Sequence, residues 1–227
     1  MKVLVITGGT LKKDFLKQFL SKHAFDHTIV VDGALKTAAE MNLCFQSLVG
    51  DFDTIDARIL HSYLGKNGLY IEQHKPQKNE TDTELAVNLG LETIKKHGKK
   101  DETNEIAILG ATGGRLDHAL GNIHLVYKAL KQGISCKLYD EDNCLFMINR
   151  HTILTDETKE YHYVSFLPFT DIADGVTLKG FLYPLENARL EKGCTLGISN
   201  EVTEEHPSVS VDSGVLIGIL SRDHTEK

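Results

Sequence analysis

Residues 3–6 form the first apolar run of the chain and stop at Gly8-Gly9, the pattern of a short buried strand closed by a turn. Phe15, Leu16, Phe19 and Leu20 then recur at helical spacing. Residues 28–31 predict a second strand, ended by Asp32-Gly33, and residues 47–49 a third, ended by Gly50-Asp51. Residues 69–72 predict a fourth. A helix is expected from near Thr81, and a fifth strand over residues 106–109. A long helix should follow, with Leu116, Ala119, Leu120, Ile123, Tyr127 and Leu130 on one apolar stripe. Strands alternating with helices predict an α/β fold, a mainly parallel sheet with helices on both faces.

Beyond residue 143 or so the helical period disappears. Short segments at 163–167, 176–178, 195–198, 208–211 and 215–220 follow one another, separated by Gly, Asp, Pro and Asn. They predict an antiparallel sandwich or barrel. The chain is therefore expected to divide into an α/β domain over residues 1–144 and a β-sandwich over residues 145–227.

Composition narrows the field. The chain has 227 residues, enough for one large or two small domains, and its 41% hydrophobic and 25% charged residues are ordinary for a globular protein. A net charge of −7 gives no general attraction to nucleic acid or to an anionic membrane, so neither is an expected partner. Cys44, Cys136, Cys144 and Cys194 lie far apart with no C-x-x-C pair, which argues against a zinc site or a disulfide framework. The amino-terminal apolar stretch is too short for a signal peptide, and no run is long enough to span a membrane. A soluble cytoplasmic protein is expected.

The chemistry gathers at the predicted strand ends, where a parallel sheet binds its ligands. Asp32 follows the second strand, and Asp51 and Asp53 follow the third. Asp82 lies at the turn into the helix after the fourth, and Gly113-Gly114-Arg115-Leu116-Asp117-His118 follows the fifth. One aspartate after a strand is commonly a helix cap or turn former; a set at successive strand ends is harder to explain that way. Asp51 and Asp53 are two apart, so in extended chain their carboxylates point the same way and repel unless a cation lies between them. Such hard oxygen donors suit Mg²⁺. Thr81-Asp82-Thr83-Glu84 fits a capping box, which leaves the Asp82 carboxylate for the site. Lys75 and Lys78 either meet phosphates or belong to a solvated basic loop. Gly113, Gly114 and Arg115 offer backbone N–H groups and a planar guanidinium to phosphate oxygens, or else form a tight turn with a surface arginine. Asp117 falls off the predicted stripe. His118 is a candidate for phosphate or for a structural hydrogen bond. No G-x-x-x-x-G-K-[ST], G-x-G-x-x-G, H-E-x-x-H or G-x-S-x-G motif is present. Carboxylates, glycines and an arginine without a nucleophile point to phosphoryl transfer.

Asp32-Gly33-Ala34, Gly50-Asp51-Phe52-Asp53-Thr54, Asn79-Glu80-Thr81-Asp82-Thr83-Glu84 and Gly113-Gly114-Arg115-Leu116-Asp117-His118 occur in this order. Tyr183-Pro184-Leu185-Glu186-Asn187 and Gly197-Ile198-Ser199-Asn200-Glu201 follow in the second half. This series resembles the thiamine pyrophosphokinase family, bacterial members especially, over roughly residues 28–220. The resemblance implies Mg²⁺-dependent transfer of pyrophosphate from ATP to the hydroxyethyl oxygen of thiamine, giving thiamine diphosphate and AMP. It implies a homodimer whose sites are shared between subunits. It implies Asp51, Asp53, Asp82, Arg115 and Asp117 as catalytic residues, with Asp51, Asp53 and Asp82 on the metal. Asp32, Lys78, Thr81, Gly113, Gly114, Arg115 and His118 would meet ATP, and Ser199 and Asn200 would meet thiamine. Three departures stand out. Ala34 replaces a glycine common in the family, so its methyl is expected to crowd that loop slightly. Asn79 replaces an aspartate, and the chain has no tryptophan to stack on thiamine. A pyrophosphokinase for another alcohol, such as a pterin, and a non-catalytic module binding thiamine diphosphate or a nucleotide are the alternatives.

Overall fold

The computed structural model describes residues 1–53, 55–75, 77, 79–99, 103–154 and 156–223, with the backbone alone at Asp156 and Glu157. The chain divides into two compact units, Met1–Asp140 and Glu141–Lys227.

The first unit carries strands β1 (Lys2–Ile6), β2 (His27–Val31), β3 (Ser47–Gly50), β4 (Tyr70–Gln73), β5 (Glu105–Leu109) and β6 (Ser135–Tyr139). They lie side by side in the order β4-β3-β2-β1-β5-β6, every pair parallel. Helices α1 (Lys13–Lys22), α2 (Leu35–Glu40), α3 (Ala57–Tyr63), α4 (Asp82–His97) and α5 (Leu116–Leu130) connect them. Val3, Leu4, Val5 and Ile6 are all buried, as are Ile106, Ala107, Ile108 and Leu109. Side chains alternate between faces along a strand, so burial of consecutive residues means that both faces are covered. Helix α4 packs over β1, β2, β3 and β5, and α5 over β6. None of these helices is long and apolar enough to cross a membrane, among the described residues.

Two local expectations need correction. The buried face of α5 is Asn122, Leu125, Val126 and Ala129. Leu116, the first residue of the predicted stripe, is 73% exposed, and Leu120 is exposed as well. The apolar residues at the start of this helix project from the molecule, so their spacing marked a surface and not the core. At α4, Thr81 accepts the Glu84 N–H at 3.1 Å, which is half of a capping box. The Glu84 carboxylate instead accepts a hydrogen bond from Lys128 of α5 at 2.8 Å, where an ion pair is available.

The second unit is all antiparallel. Strand β13 (Leu216–Ser221) pairs with β7 (Asn143–Ile148) on one side and β9 (Tyr163–Pro168) on the other. A second sheet runs β11 (Leu185–Glu191), β10 (Ile172–Lys179), β12 (Ser208–Ser210), β8 (Thr152–Ile153). Burial alternates along β13 and β12, which is the mark of sheets with one face inward. Phe166 of β9 meets Phe181 edge-on at 5.6 Å in the core of this unit. Residues 195–198, expected as a strand, form a turn closed by Ile198 N–H to Thr195 O at 3.1 Å. Gly197 lies against the Phe166 carbonyl, where a Cβ would collide, and that contact holds the turn in place. All four cysteines are free thiols.

Candidate active site

The strand order reverses at β1. From there the chain steps outward through β2, β3 and β4 on one side, then returns to β5 and β6 on the other. The loops leaving β1 and β5 consequently diverge, and a crevice opens between them. It is an open cleft of about 620 Å³, lined by residues 7–10 after β1 and by Gly110, Ala111, Gly113, Gly114 and Arg115 after β5. Asp32, Asp82 and His118 line it too.

Glycines make its floor. A Cβ on Gly8 would lie 2.7 Å from Gly33 Cα, one on Gly110 would lie 2.5 Å from Thr7 O, and one on Gly9 would overlap the Gly110 carbonyl. Gly110, Gly113 and Gly114 have φ of 73°, 80° and 69°, the left-handed region that side chains disfavour. Ala34 lies in the short 3₁₀ turn Asp32–Ala34 at φ −94°, so its backbone does not call for glycine.

Asp32, Asp51 and Asp53 come together, with one carboxylate oxygen of each within 4.8 Å of the others. Strand alternation does not bring Asp51 and Asp53 together. The chain turns back between them through Phe52, buried at a left-handed φ of 62°, and Asp51 Oδ1 accepts the Asp53 N–H at 3.2 Å. A buried aromatic residue at positive φ is strained, and such strain gathers at functional sites. Partial burial, with Asp82 and Asp51 nearby, raises the Asp32 pKa; the Gly33 N–H, donated to Asp32 Oδ1 at 2.5 Å, partly offsets this. Asp53 is raised by its side-chain hydrogen bond with Asp51, then by desolvation and by the Asp51 and Asp82 charges. Asp82 acts on this trio through its charge from outside the 4.8 Å group.

Arg115 and Asp117 form a forked pair: Nε donates to Oδ1 at 3.1 Å and Nη2 to Oδ2 at 2.6 Å. The guanidinium, helped by the His118 N–H, holds the Asp117 carboxyl down at about 2. Thr81, Glu84, Asp117 and His118 border a second cavity of about 200 Å³. His118 and Asn122 line both cavities. Lys78 and Thr54 lie outside the described residues.

Ser199 and Asn200 belong to the second unit. Ser199 has a left-handed φ of 56°, and its N–H donates to Ser165 Oγ at 3.1 Å. Asn200 is 2% exposed. Its Nδ2 donates to Tyr183 O at 2.7 Å, and its Oδ1 accepts the N–H groups of Tyr183 and Glu201, each at 2.9 Å. The side chain is thus an inward clamp on the Tyr183 backbone. Leu182 and Tyr183 itself are exposed, as are Leu196 and Ile198 just before Ser199 and Asn200.

Sequence reasoning missed the residues after β1: Thr7, Gly8, Gly9 and Thr10, together with Asn122. Gly8-Gly9 at a strand end was the available signal. It marked a turn, and only the strand order makes that turn one wall of the cleft.

Two protein-family models match the chain: the thiamin pyrophosphokinase catalytic domain over residues 16–138 and the thiamin pyrophosphokinase vitamin B1 binding domain over residues 150–216. Among curated relatives, thiamine pyrophosphokinase of Bacillus subtilis (strain 168) is 35% identical over 227 residues, covering 98% of this chain and 100% of the relative. Thiamine pyrophosphokinase 1 of Arabidopsis thaliana is 28% identical over 189 residues, covering 78% of this chain and 68% of the relative. The crystal structure of the Bacillus subtilis enzyme superposes with a TM-score of 0.82 at 32% identity, over 99% of this chain and 100% of that one. Thiamin pyrophosphokinase from Geobacillus thermodenitrificans gives 0.82 at 28% identity, over 99% of each chain.

Proposed function

The chain belongs to the thiamine pyrophosphokinase family, and from that premise we propose that it transfers the terminal pyrophosphate of ATP to the hydroxyethyl oxygen of thiamine, releasing AMP. One observation carries this beyond family membership. Asp32 belongs both to a group of three carboxylates and to the lining of a glycine-floored cleft at the strand-order reversal. A triphosphate needs both surfaces: backbone that approaches closely and donates N–H groups, and acids that hold a divalent cation.

The donor set fits Mg²⁺. Three hard oxygen donors converge; burial chiefly raises the Asp32 pKa and the hydrogen bond with Asp51 chiefly raises that of Asp53, and the like charges that add to both are a cost that a cation relieves. Asp32, Asp51 and Asp53 would hold the ion, with Asp82 adding its charge. Bound there, Mg²⁺ neutralises charge on the transferred group and aligns it. Gly113 and Gly114 leave room for phosphate oxygens against the backbone. Arg115, whose Nε and Nη2 are on Asp117, would offer its positive charge and its remaining N–H groups to the charge that develops there, in a reaction where positioning and neutralisation do most of the catalysis. His118, which lines the cleft, and Thr81, which borders the smaller cavity, are assigned to the nucleotide, and one acid of the set would accept the hydroxyl proton of thiamine. Asp117 is held ionised by Arg115.

Thiamine is assigned to the second unit, at Ser199 and at the segment around Tyr183 that Asn200 fixes. The exposed Leu182, Tyr183, Leu196 and Ile198 supply apolar and aromatic surface there in a chain without tryptophan. The proposed assembly is a homodimer with shared sites, testable as a solution mass of twice 25.2 kDa. A cytoplasmic location suits a chain with two exposed free thiols, Cys44 and Cys194.

The decisive measurement is AMP release from ATP by the purified chain. Release that requires both thiamine and Mg²⁺ supports the assignment. Release with a pterin and not with thiamine, or ATP binding without turnover, would replace it.

A further inference from the structure

On the reading of this cleft as an ATP site, we propose that Thr7 and Asn122 are positioning residues that set the polarity of its floor toward the triphosphate. Thr7 closes β1 and is 4% exposed; Asn122 sits on the buried face of α5 and is 7% exposed. One follows β1 and the other belongs to α5, and both bond the segment between β5 and α5. Thr7 Oγ1 donates to the Gly110 carbonyl at 2.6 Å, and Asn122 Nδ2 donates to the Ala111 carbonyl at 2.8 Å. Two successive carbonyls of the loop that lines the cleft are therefore each held by a buried side-chain donor.

The consequence follows from the planarity of the peptide unit. Its C=O and N–H point in opposite directions, so fixing one fixes the other. Holding Gly110 O sets the direction of the Ala111 N–H. Holding Ala111 O sets that of the Thr112 N–H. The Thr112 side chain is drawn away in turn, its Oγ1 donating to Asp140 Oδ2 at 2.8 Å. A carbonyl oxygen is the negative end of its peptide dipole and repels a phosphate, while an N–H attracts one. With both oxygens occupied, a peptide flip that turned a carbonyl toward the anion would break a buried hydrogen bond. Left-handed Gly110 and Gly113 flank the pair and would otherwise leave such a flip easy. Neither residue needs to touch a reacting atom. Asn122 itself borders both cavities, while the loop that it holds lines the larger one.

The test is calorimetric binding of ATP with Mg²⁺ to the full chain, alongside steady-state kinetics in both substrates. Thr7→Val has nearly the shape of threonine without the donor, and Asn122→Leu removes the amide. Each should weaken ATP binding at least about tenfold, the scale of one lost buried hydrogen bond, while the thiamine KM moves less than about twofold. Thr7→Ser restores the donor and should recover most of the Thr7→Val loss. Wild-type ATP affinity in folded Thr7→Val and Asn122→Leu overturns the proposal. So does an equal loss for ATP and thiamine, or a serine variant no better than valine, because each describes a merely structural role. If Asn122→Leu does not fold, the Thr7→Val and Thr7→Ser pair decides alone. A wild-type chain that binds no ATP overturns the ATP-site reading itself, an outcome visible before any variant is made.

Discussion

Gly50 passes so close to Asp32 that a Cβ at position 50 would lie 2.7 Å from Asp32 Cγ and 2.9 Å from its Oδ2. A glycine at the end of one strand thus makes room for the acid at the end of the next. Gly50→Ala should displace the Asp32 carboxylate together with the backbone that carries it, because the atom nearest to the new methyl is Asp32 Cβ, which no rotamer change can move. The Mg²⁺ concentration for half-maximal AMP release should rise, and turnover should fall on the order of 10²-fold, the scale of one lost electrostatic contact in a transition state. An unchanged Mg²⁺ dependence would remove Asp32 from the metal group.

Asp53→Asn separates charge from packing. Without metal it deletes a like charge beside Asp51, so thermal stability in a chelator should equal or slightly exceed that of the wild type. With Mg²⁺ the order should reverse, since binding to the folded state raises the wild-type melting temperature and the variant responds less. Turnover should drop by on the order of 10² or more. Equal Mg²⁺ stabilisation of both proteins would argue against a cation held by Asp53.

The titrations of these acids run in opposite senses. Asp117 falls to about 2 from an ordinary 3.8, so its contribution to stability is present above the ordinary value and is lost as pH drops toward 2. Asp32 and Asp53 bind their protons more tightly when folded, so in metal-free protein their contribution grows as pH falls through the raised values and is lost as pH rises. Carboxyl-resolved NMR titration of the chelated chain should show both senses. Arg115→Lys keeps the charge but not the fork; the Asp117 midpoint should climb, and turnover should fall at least about tenfold. A lysine variant with full activity would make Arg115 a surface residue.

Asn200→Ala removes an amide that satisfies both backbone groups of Tyr183. Leaving them unpaired should cost about 1–3 kcal/mol for each one cut off from water, read as a lower denaturation midpoint. The thiamine KM should rise because the exposed Tyr183 segment loosens, while ATP affinity holds. Loss of ATP affinity instead would place the second unit in contact with the nucleotide.

The parallel half was legible because buried strands and amphipathic helices repeat with plain periods and end at Gly-Asp pairs. The strand ends also exposed the acids, since the loops there carry little else. The antiparallel half was harder to read. In β11 (Leu185–Glu191) only Leu190 is buried, so a charged, exposed edge strand gave no alternation to read. Residues 195–198 look apolar enough for a strand, yet Leu196 and Ile198 face outward. Proximity without a local signal was invisible in sequence. Nothing near Asn122 points to Ala111 eleven residues earlier, and nothing near Thr7 points to Gly110.

That last pair sets an order on the making of the protein. Thr7 and Gly110 are 103 residues apart, and both walls of the cleft hang on β1 lying beside β5. During synthesis β2, β3 and β4 emerge long before β5, so a nascent chain holds most of its acids well before it has a glycine floor. Closing so long a loop is slow compared with local helix formation. Nucleotide capture by a ribosome-bound chain would therefore begin only after α5 has emerged.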